Sequence, residues 1–197
     1  MLFVISAPSG TGKTTVIRNV LKHFPDLVFS VSATSRPKRP GETDGVDYYF
    51  LSPERFEEAI KHNELVEWER IYGNYYGTLR KHIDETLAQG KHMLFDIDVK
   101  GALSIRKLFP DDSVLIFLQP PSLEELKRRL EKRGTDSEEV IQTRLERARM
   151  EMRLAESFDY VVINDDLEKT LKMIYHIIES ALTKAGITDI KTQSQSK

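Results

Sequence analysis

Ala7-Pro8-Ser9-Gly10-Thr11-Gly12-Lys13-Thr14-Thr15 follows directly on the apolar run Leu2-Phe3-Val4-Ile5 and leads into a segment of helical period near 14–23. In a strand, glycine turn and helix in that order, backbone N–H groups can curl around phosphate oxygens while the helix offers its positive end. Lys13 supplies a cation for the β- and γ-phosphates of a nucleotide, and the Thr14 hydroxyl a hard oxygen for Mg²⁺. Ser9, Gly10, Thr11, Gly12, Lys13, Thr14 and Thr15 are therefore the expected triphosphate cradle. Ala7 stands where such a loop usually opens with glycine, which requires a negative φ there.

Outward from this loop, short apolar runs at 2–5, 28–31, 93–95, 114–118 and 160–163 alternate with helix candidates near 14–23, 99–107, 122–133 and 166–184. Runs of that length read as strands covered on both faces, and their alternation with helices predicts an α/β fold with a parallel sheet. Ser122 and Thr135 each precede a glutamate by three residues, Glu125 and Glu138, the spacing of a capping box. The stretch 136–154 has sparse apolar positions and dense charge, and reads as a mobile, solvated helix. Between 33 and 92 the alternation breaks. A Pro/Gly-rich loop (35–41), period-two residues at 48–51 and 65–72 and a Gly73-Asn74 turn predict a small, half-exposed antiparallel insert. Trp68 reads as a core residue, and the polar end at 186–197 as disordered.

Composition narrows the chemistry. A chain of 197 residues with 40% hydrophobic content sustains one sizeable core, so one domain is the default. Lys and Arg number 29 against 31 Asp and Glu, so no basic excess argues for nucleic acid or an anionic membrane. With no cysteine, metal chemistry has to use oxygen ligands. The five histidines show no i,i+4 pair of the kind that binds a metal. The apolar opening is too short for a signal segment, and a cytoplasmic location is expected.

Two further features bear on phosphoryl transfer. Asp96-Ile97-Asp98 closes the run 93–95, at the strand end where parallel sheets hold ligands. Asp96 is the candidate for Mg²⁺, and strand parity leaves either aspartate open to the metal and the other to a second substrate. Between 127 and 153 lie Arg128, Arg129, Arg133, Arg144, Arg147, Arg149 and Arg153. Such a basic stretch can bring arginines onto phosphates, or be a charged helix face with pairs such as Glu125 and Arg129. Mutual repulsion of these arginines predicts a lid that shuts only when phosphate charge arrives.

The chain resembles the guanylate kinases. The match runs through 9–14, 30–36, Arg39-Pro40-Gly41-Glu42, Gly45-Val46-Asp47-Tyr48, Glu67-Trp68, 73–78, 96–98, Arg133-Gly134-Thr135 and Asn164-Asp165, in order and over most of the chain. The resemblance implies a P-loop NTPase core with a parallel sheet, a small mixed or antiparallel GMP-binding insert and a helical lid, in one domain over 1–185. Core would be 1–32, 93–121 and 155–185, insert 33–92 and lid 122–154. It implies transfer of the γ-phosphoryl group from ATP·Mg²⁺ to GMP, or dGMP. The GMP phosphate would be held by Arg36, Arg39, Tyr48 and Tyr76, and guanine read by Ser32, Glu67, Thr78 and Asp98. Asn164 and Asp165 would flank adenine, and Lys13, Arg36, Arg133 and Arg144 would be the catalytic cations. A homo-oligomer is compatible with it. The alternative is a catalytically inactive, protein-binding module of the same family, which the intact Lys13 and Thr14 oppose.

The chemistry of the ligand agrees with that assignment. Guanine offers N1–H and N2–H₂ donors beside the O6 acceptor, so its reader needs a carboxylate and a hydroxyl, as Glu67 with Ser32 or Thr78 supplies. A phosphate dianion favours planar bidentate partners, as Arg36 and Arg39 on a proline-stiffened loop supply.

Overall fold

A computed structural model describes residues 1–71, 73–134 and 136–186 of the chain. The expected tail at 186–197 falls outside these residues except for Gly186. Strand β1 (Leu2–Ser6) lies at the middle of a five-stranded sheet of order β2-β7-β1-β8-β9, with β2 (Leu27–Phe29), β7 (His92–Asp96), β8 (Ser113–Gln119) and β9 (Tyr160–Ile163). Every pairing in it is parallel. All of β1 is buried because helices cover both faces. Alternate residues serve opposite faces. Phe3 and Ile5 pack with Val16, Ile17 and Val20 of α1 (Lys13–His23) and with Ile174, Ile177 and Ile178 of α7 (Leu167–Lys184). Leu2 and Val4 pack with Ala102 and Ile105 of α4 (Val99–Leu108) and with Ile83 of α3 (Arg80–Ala88).

The strand expected at 28–31 ends at Phe29, and Ala33–Thr34 already belongs to a second sheet as β3. That sheet has the order β4-β3-β6-β5, with β4 (Tyr49–Phe50), β5 (Leu65–Ile71) and β6 (Asn74–Leu79). It is mixed, since β3 and β4 run parallel while β6 is antiparallel to both β3 and β5. Two helices within 33–92 escaped the sequence reading, α2 (Pro53–Lys61) and α3. Helix α2 does carry start signals, Pro53 in its first turn and Ser52 accepting the Arg55 N–H at 3.1 Å, but it buries only Phe56 and Ala59. Helix α3 follows β6 directly with no side-chain cap, so nothing local announces it.

After β8 come α5 (Leu123–Arg133) and α6 (Glu138–Arg153). Ser122 caps α5 as its spacing predicts, accepting the Glu125 N–H at 3.1 Å. Helix α6 is capped by Ser137; Thr135, the expected cap, lies outside the described residues. Far from being solvated all round, α6 buries Ile141, Leu145 and Ala148 against Leu126 and Leu130, one face at helical spacing. Among the described residues, no helix is long and apolar enough to cross a membrane.

Candidate active site

The loop between β1 and α1 turns through Gly10 and Gly12, both at left-handed φ (98° and 101°), whereas Ala7 is not among the positive-φ residues, as required of it. Helix α1 starts at Gly12 with no side-chain cap and no acidic residue in its first turn, leaving its first N–H groups for an anion. A Cβ on Gly12 would lie 2.8 Å from Asn164 Nδ2, and one on Gly10 2.9 Å from Leu130 Cδ2. The loop is thus clamped by the end of β9 on one side and by α5 on the other. Asn164, buried, donates Nδ2–H to the Thr11 carbonyl at 2.6 Å. Arg129 Nη1 donates to the same carbonyl at 3.3 Å and to the Asn164 carbonyl at 3.1 Å. The predicted Glu125–Arg129 pair forms at 2.8 Å, so Arg129 both lies on a charged helix face and braces the loop, a role that only the tertiary fold reveals. Gly10, Thr11, Gly12, Thr15, Arg133, Asn164 and Asp165 border a hollow of about 510 Å³.

Lys13 Nζ sits 2.5 Å from Asp96 Oδ1 and 3.4 Å from the Ile97 carbonyl. The parity that left Asp96 and Asp98 interchangeable does not hold, because β7 ends at Asp96 and Asp98 is the N-cap of α4. Asp96 faces Lys13. Asp98 Oδ1 accepts the Gly101 N–H at 2.8 Å, while Oδ2 lies 3.5 Å from Arg147 Nη2. Thr14 is exposed at the first turn of α1. With Asp96 it offers oxygen donors suited to Mg²⁺, which fills its remaining positions with phosphate and water.

On the insert, Glu67 is aimed by a bulge in the β5–β6 ladder between Leu65 and Glu67. Its Oε1 accepts from Thr78 Oγ1 at 2.7 Å. Burial pushes the Glu67 carboxyl above its ordinary value; the Thr78 hydrogen bond opposes this, and the Asp98 and Glu69 charges add to the rise. The Thr78 hydroxyl is engaged by Glu67, whereas Ser32 is half-buried and has no side-chain partner among the described residues. Glu67 and Asp98 share a hollow of about 350 Å³. Trp68, expected in the core, is 48% exposed on the outside of β5, edge-on to Tyr75.

Arg36 is held by Glu42, from Nη1 to Oε2 at 3.0 Å and from Nη2 to Oε1 at 2.7 Å, and Glu42 also accepts the Arg39 N–H at 2.7 Å. Arg36 first, and the Arg39 amide next, bring the Glu42 carboxyl down to about 2. Nη1 also donates to the Pro37 carbonyl, which leaves Nε and one Nη2 hydrogen. The Tyr48 ring lies 5.3 Å from this guanidinium and 6.0 Å from the Tyr76 ring, so Arg36, Tyr48 and Tyr76 form one group with exposed Arg39 at its margin. Glu42 fell inside a matching motif but carried no assigned role; only the fold brings it onto both arginines.

Arg144 of α6 reaches Ser9 Oγ at 3.3 Å and Asp136 Oδ1 at 3.4 Å. Together with Arg133, the glycine loop, Ile71 and Asp98 it borders a cleft of about 690 Å³, a volume suited to substrate-sized ligands. Among the described residues no group of three or more His, Asp or Glu side chains is placed to hold a metal.

A family model described as guanylate kinase matches residues 1–181. Curated relatives include the guanylate kinase of Chlorobium luteolum, 52% identical over 95% of each chain. That of Thermotoga maritima is 45% identical over 93% of this chain and 88% of its own. A crystal structure of guanylate kinase from Anaplasma phagocytophilum superposes with a TM-score of 0.68 at 34% identity, covering 91% of this chain and 85% of its own.

Proposed function

The chain belongs to the guanylate kinase family, and from that premise we propose how its residues divide the work. The protein transfers the γ-phosphoryl group of ATP to GMP, giving ADP and GDP. ATP takes the glycine loop, its phosphates on the N–H groups of 9–15 and on Lys13, its adenine in the hollow beside Asn164 and Asp165. Mg²⁺ would be held by the Thr14 hydroxyl and Asp96 and would supply charge neutralisation at the phosphates. GMP takes the insert side. Glu67 accepts N1–H and N2–H, Asp98 accepts the other amino hydrogen, and Ser32 donates to O6, while Thr78 holds Glu67 in place. Arg36, Arg39, Tyr48 and Tyr76 hold the phosphate, with Glu42 orienting the Arg36 guanidinium and fixing the backbone at Arg39. Arg133 and Arg144 bring positive charge to the transferring group as the lid shuts. A phosphate oxygen attacks in line, so no general base is required, and catalysis consists of positioning and charge stabilisation.

The observation that carries this reading is that Asp98 borders both the cleft of the glycine loop and lid arginines and the hollow of Glu67. Donor and acceptor sites therefore meet at one wall. ADP release from ATP·Mg²⁺ should depend on GMP in a panel with AMP, IMP, UMP and CMP, and acceptor-independent hydrolysis would refute it. Lys13→Met should keep its circular dichroism yet lose about 10²–10³ in kcat, the cost of one such donor. Near-normal turnover would remove Lys13 from the mechanism.

A further inference from the structure

Asp98 is also where the lid touches the acceptor side of the cleft. Arg144 and Arg147 lie one turn apart on α6, yet they reach in different directions, Arg144 back to Ser9 of the glycine loop and Arg147 across to Asp98. Arg147 Nε donates to Glu151 at 2.8 Å, which fixes the side chain along the helix and leaves Nη2 turned to Asp98. Glu69 of the insert acts on the same guanidinium, so carboxylates of lid, insert and core all favour its charge.

Arg147 borders the same cleft as Arg133 and Arg144, but its partner across it is Asp98, a reader of guanine on the proposed function, and not the glycine loop. On the reading above, Glu67 and Asp98 face one hollow and both accept guanine donors, and the Asp98 charge adds to the burial that raises the Glu67 carboxyl. The Arg147 guanidinium, carried on α6, lies beside Asp98 and offsets that repulsion. Asp98 Oδ1 caps α4 and Oδ2 faces Arg147, so the carboxylate is held at both oxygens beside the hollow it shares with Glu67.

We propose that Arg147 is a positioning and specificity residue, whose ion pair with Asp98 ties α6 to that carboxylate and tightens the enzyme's hold on the guanine amino group. The proposal rests on Asp98 reading that group. A partly exposed pair is worth a few-fold, so Arg147→Met should raise KM for GMP about threefold to fivefold with little change in kcat or in KM for ATP. IMP, which has no amino group, should lose less, so the GMP/IMP ratio of kcat/KM should fall. Arg147→Lys should recover most of the loss. In an Asp98→Asn background the Arg147→Met change should have no further effect on that ratio.

Equal losses for GMP and IMP, or an undiminished effect of Arg147→Met in the Asp98→Asn background, would overturn the proposal while leaving Asp98 as a guanine reader. A GMP/IMP ratio untouched by Asp98→Asn itself would instead overturn that reading of Asp98, and the proposal with it. Arg147 is 56% exposed, so these variants should keep the fold, with circular dichroism as the check.

Discussion

Glu67 is placed where recognition and stability pull in opposite directions. Its carboxyl is raised above the ordinary value, by burial first, which makes its charge costly, whereas guanine needs the anion. The sign follows from linkage. A carboxyl whose pKa is higher folded than unfolded contributes stability below its unfolded pKa and loses it as pH rises through the folded one. At neutral pH the charge is therefore a cost in the empty protein, and Glu67→Gln, which keeps an acceptor for Thr78, should raise Tm by about 2–4 °C per kcal/mol relieved. The same change presents a donor to a guanine donor, and kcat/KM for GMP should fall at least about 10²-fold. In the wild type, KM for GMP should rise as pH is lowered through the Glu67 carboxyl, and the variant should lack that limb. A lower Tm with an unchanged acid limb would mean that Glu67 is structural. The identity of this residue was legible in the sequence, but its aim depends on a bulge, and the role of Thr78 on a 2.7 Å contact, neither of which leaves a mark in residue order. Trp68 was misread for a related reason, since alternation gives the face of a strand but not what covers that face.

At the scale of elements, α5 behaves as part of the phosphate-binding body. Leu126 and Leu130 press on Gly10, and Arg129 bonds to the carbonyls of Thr11 and Asn164. Gly10→Ala would place a Cβ at a φ of 98° and within 3.0 Å of both leucines, so it should cost about 1–3 kcal/mol and raise KM for ATP. Gly134 at the end of α5 also has positive φ (64°) but open space around it, so Gly134→Ala should cost about 1 kcal/mol without touching KM for ATP. Thermal melts and ATP titrations of the two variants separate the cases; equal effects on KM would deny the contact its role. The parallel sheet and the flanking α1, α4, α5 and α7 were legible because each buries enough apolar residues at its own period. Helices α2 and α3 were not, since each buries only two residues and leans on a strand, α2 on β6 and α3 on β7.

For the whole molecule the question is which part moves when both nucleotides bind. The clustered arginines predicted a lid held open by its own charge, but the fold answers most of that repulsion with carboxylates. Arg129 pairs with Glu125, Arg144 with Asp136, and Arg147 with Asp98 and Glu151. Arg133 is the lid arginine facing the cleft with no such pair among the described residues. Closure therefore has to be driven by what phosphate adds at Arg133 and Arg144 and not by relief of self-repulsion, and salt should weaken it only modestly, because paired charges are already neutralised. Helix α5 is bonded to the glycine loop and α6 packs on α5 through Ile141, Leu145 and Ala148, so the motion expected is a pivot of α6 on that face about Gly134, carrying Arg144 and Arg147. The absence of cysteine makes this measurable, since labels can be placed one pair at a time. Take Lys22→Cys at the end of α1 as reference, Glu131→Cys on α5 and Met150→Cys on α6, all at exposed positions. On adding GMP with a non-hydrolysable ATP analogue, the 22–131 distance should stay constant while the 22–150 distance shortens by several ångström. If both distances shorten together, α5 travels with the lid, the hinge lies ahead of Ser122, and the Gly10 contact is broken in every catalytic cycle.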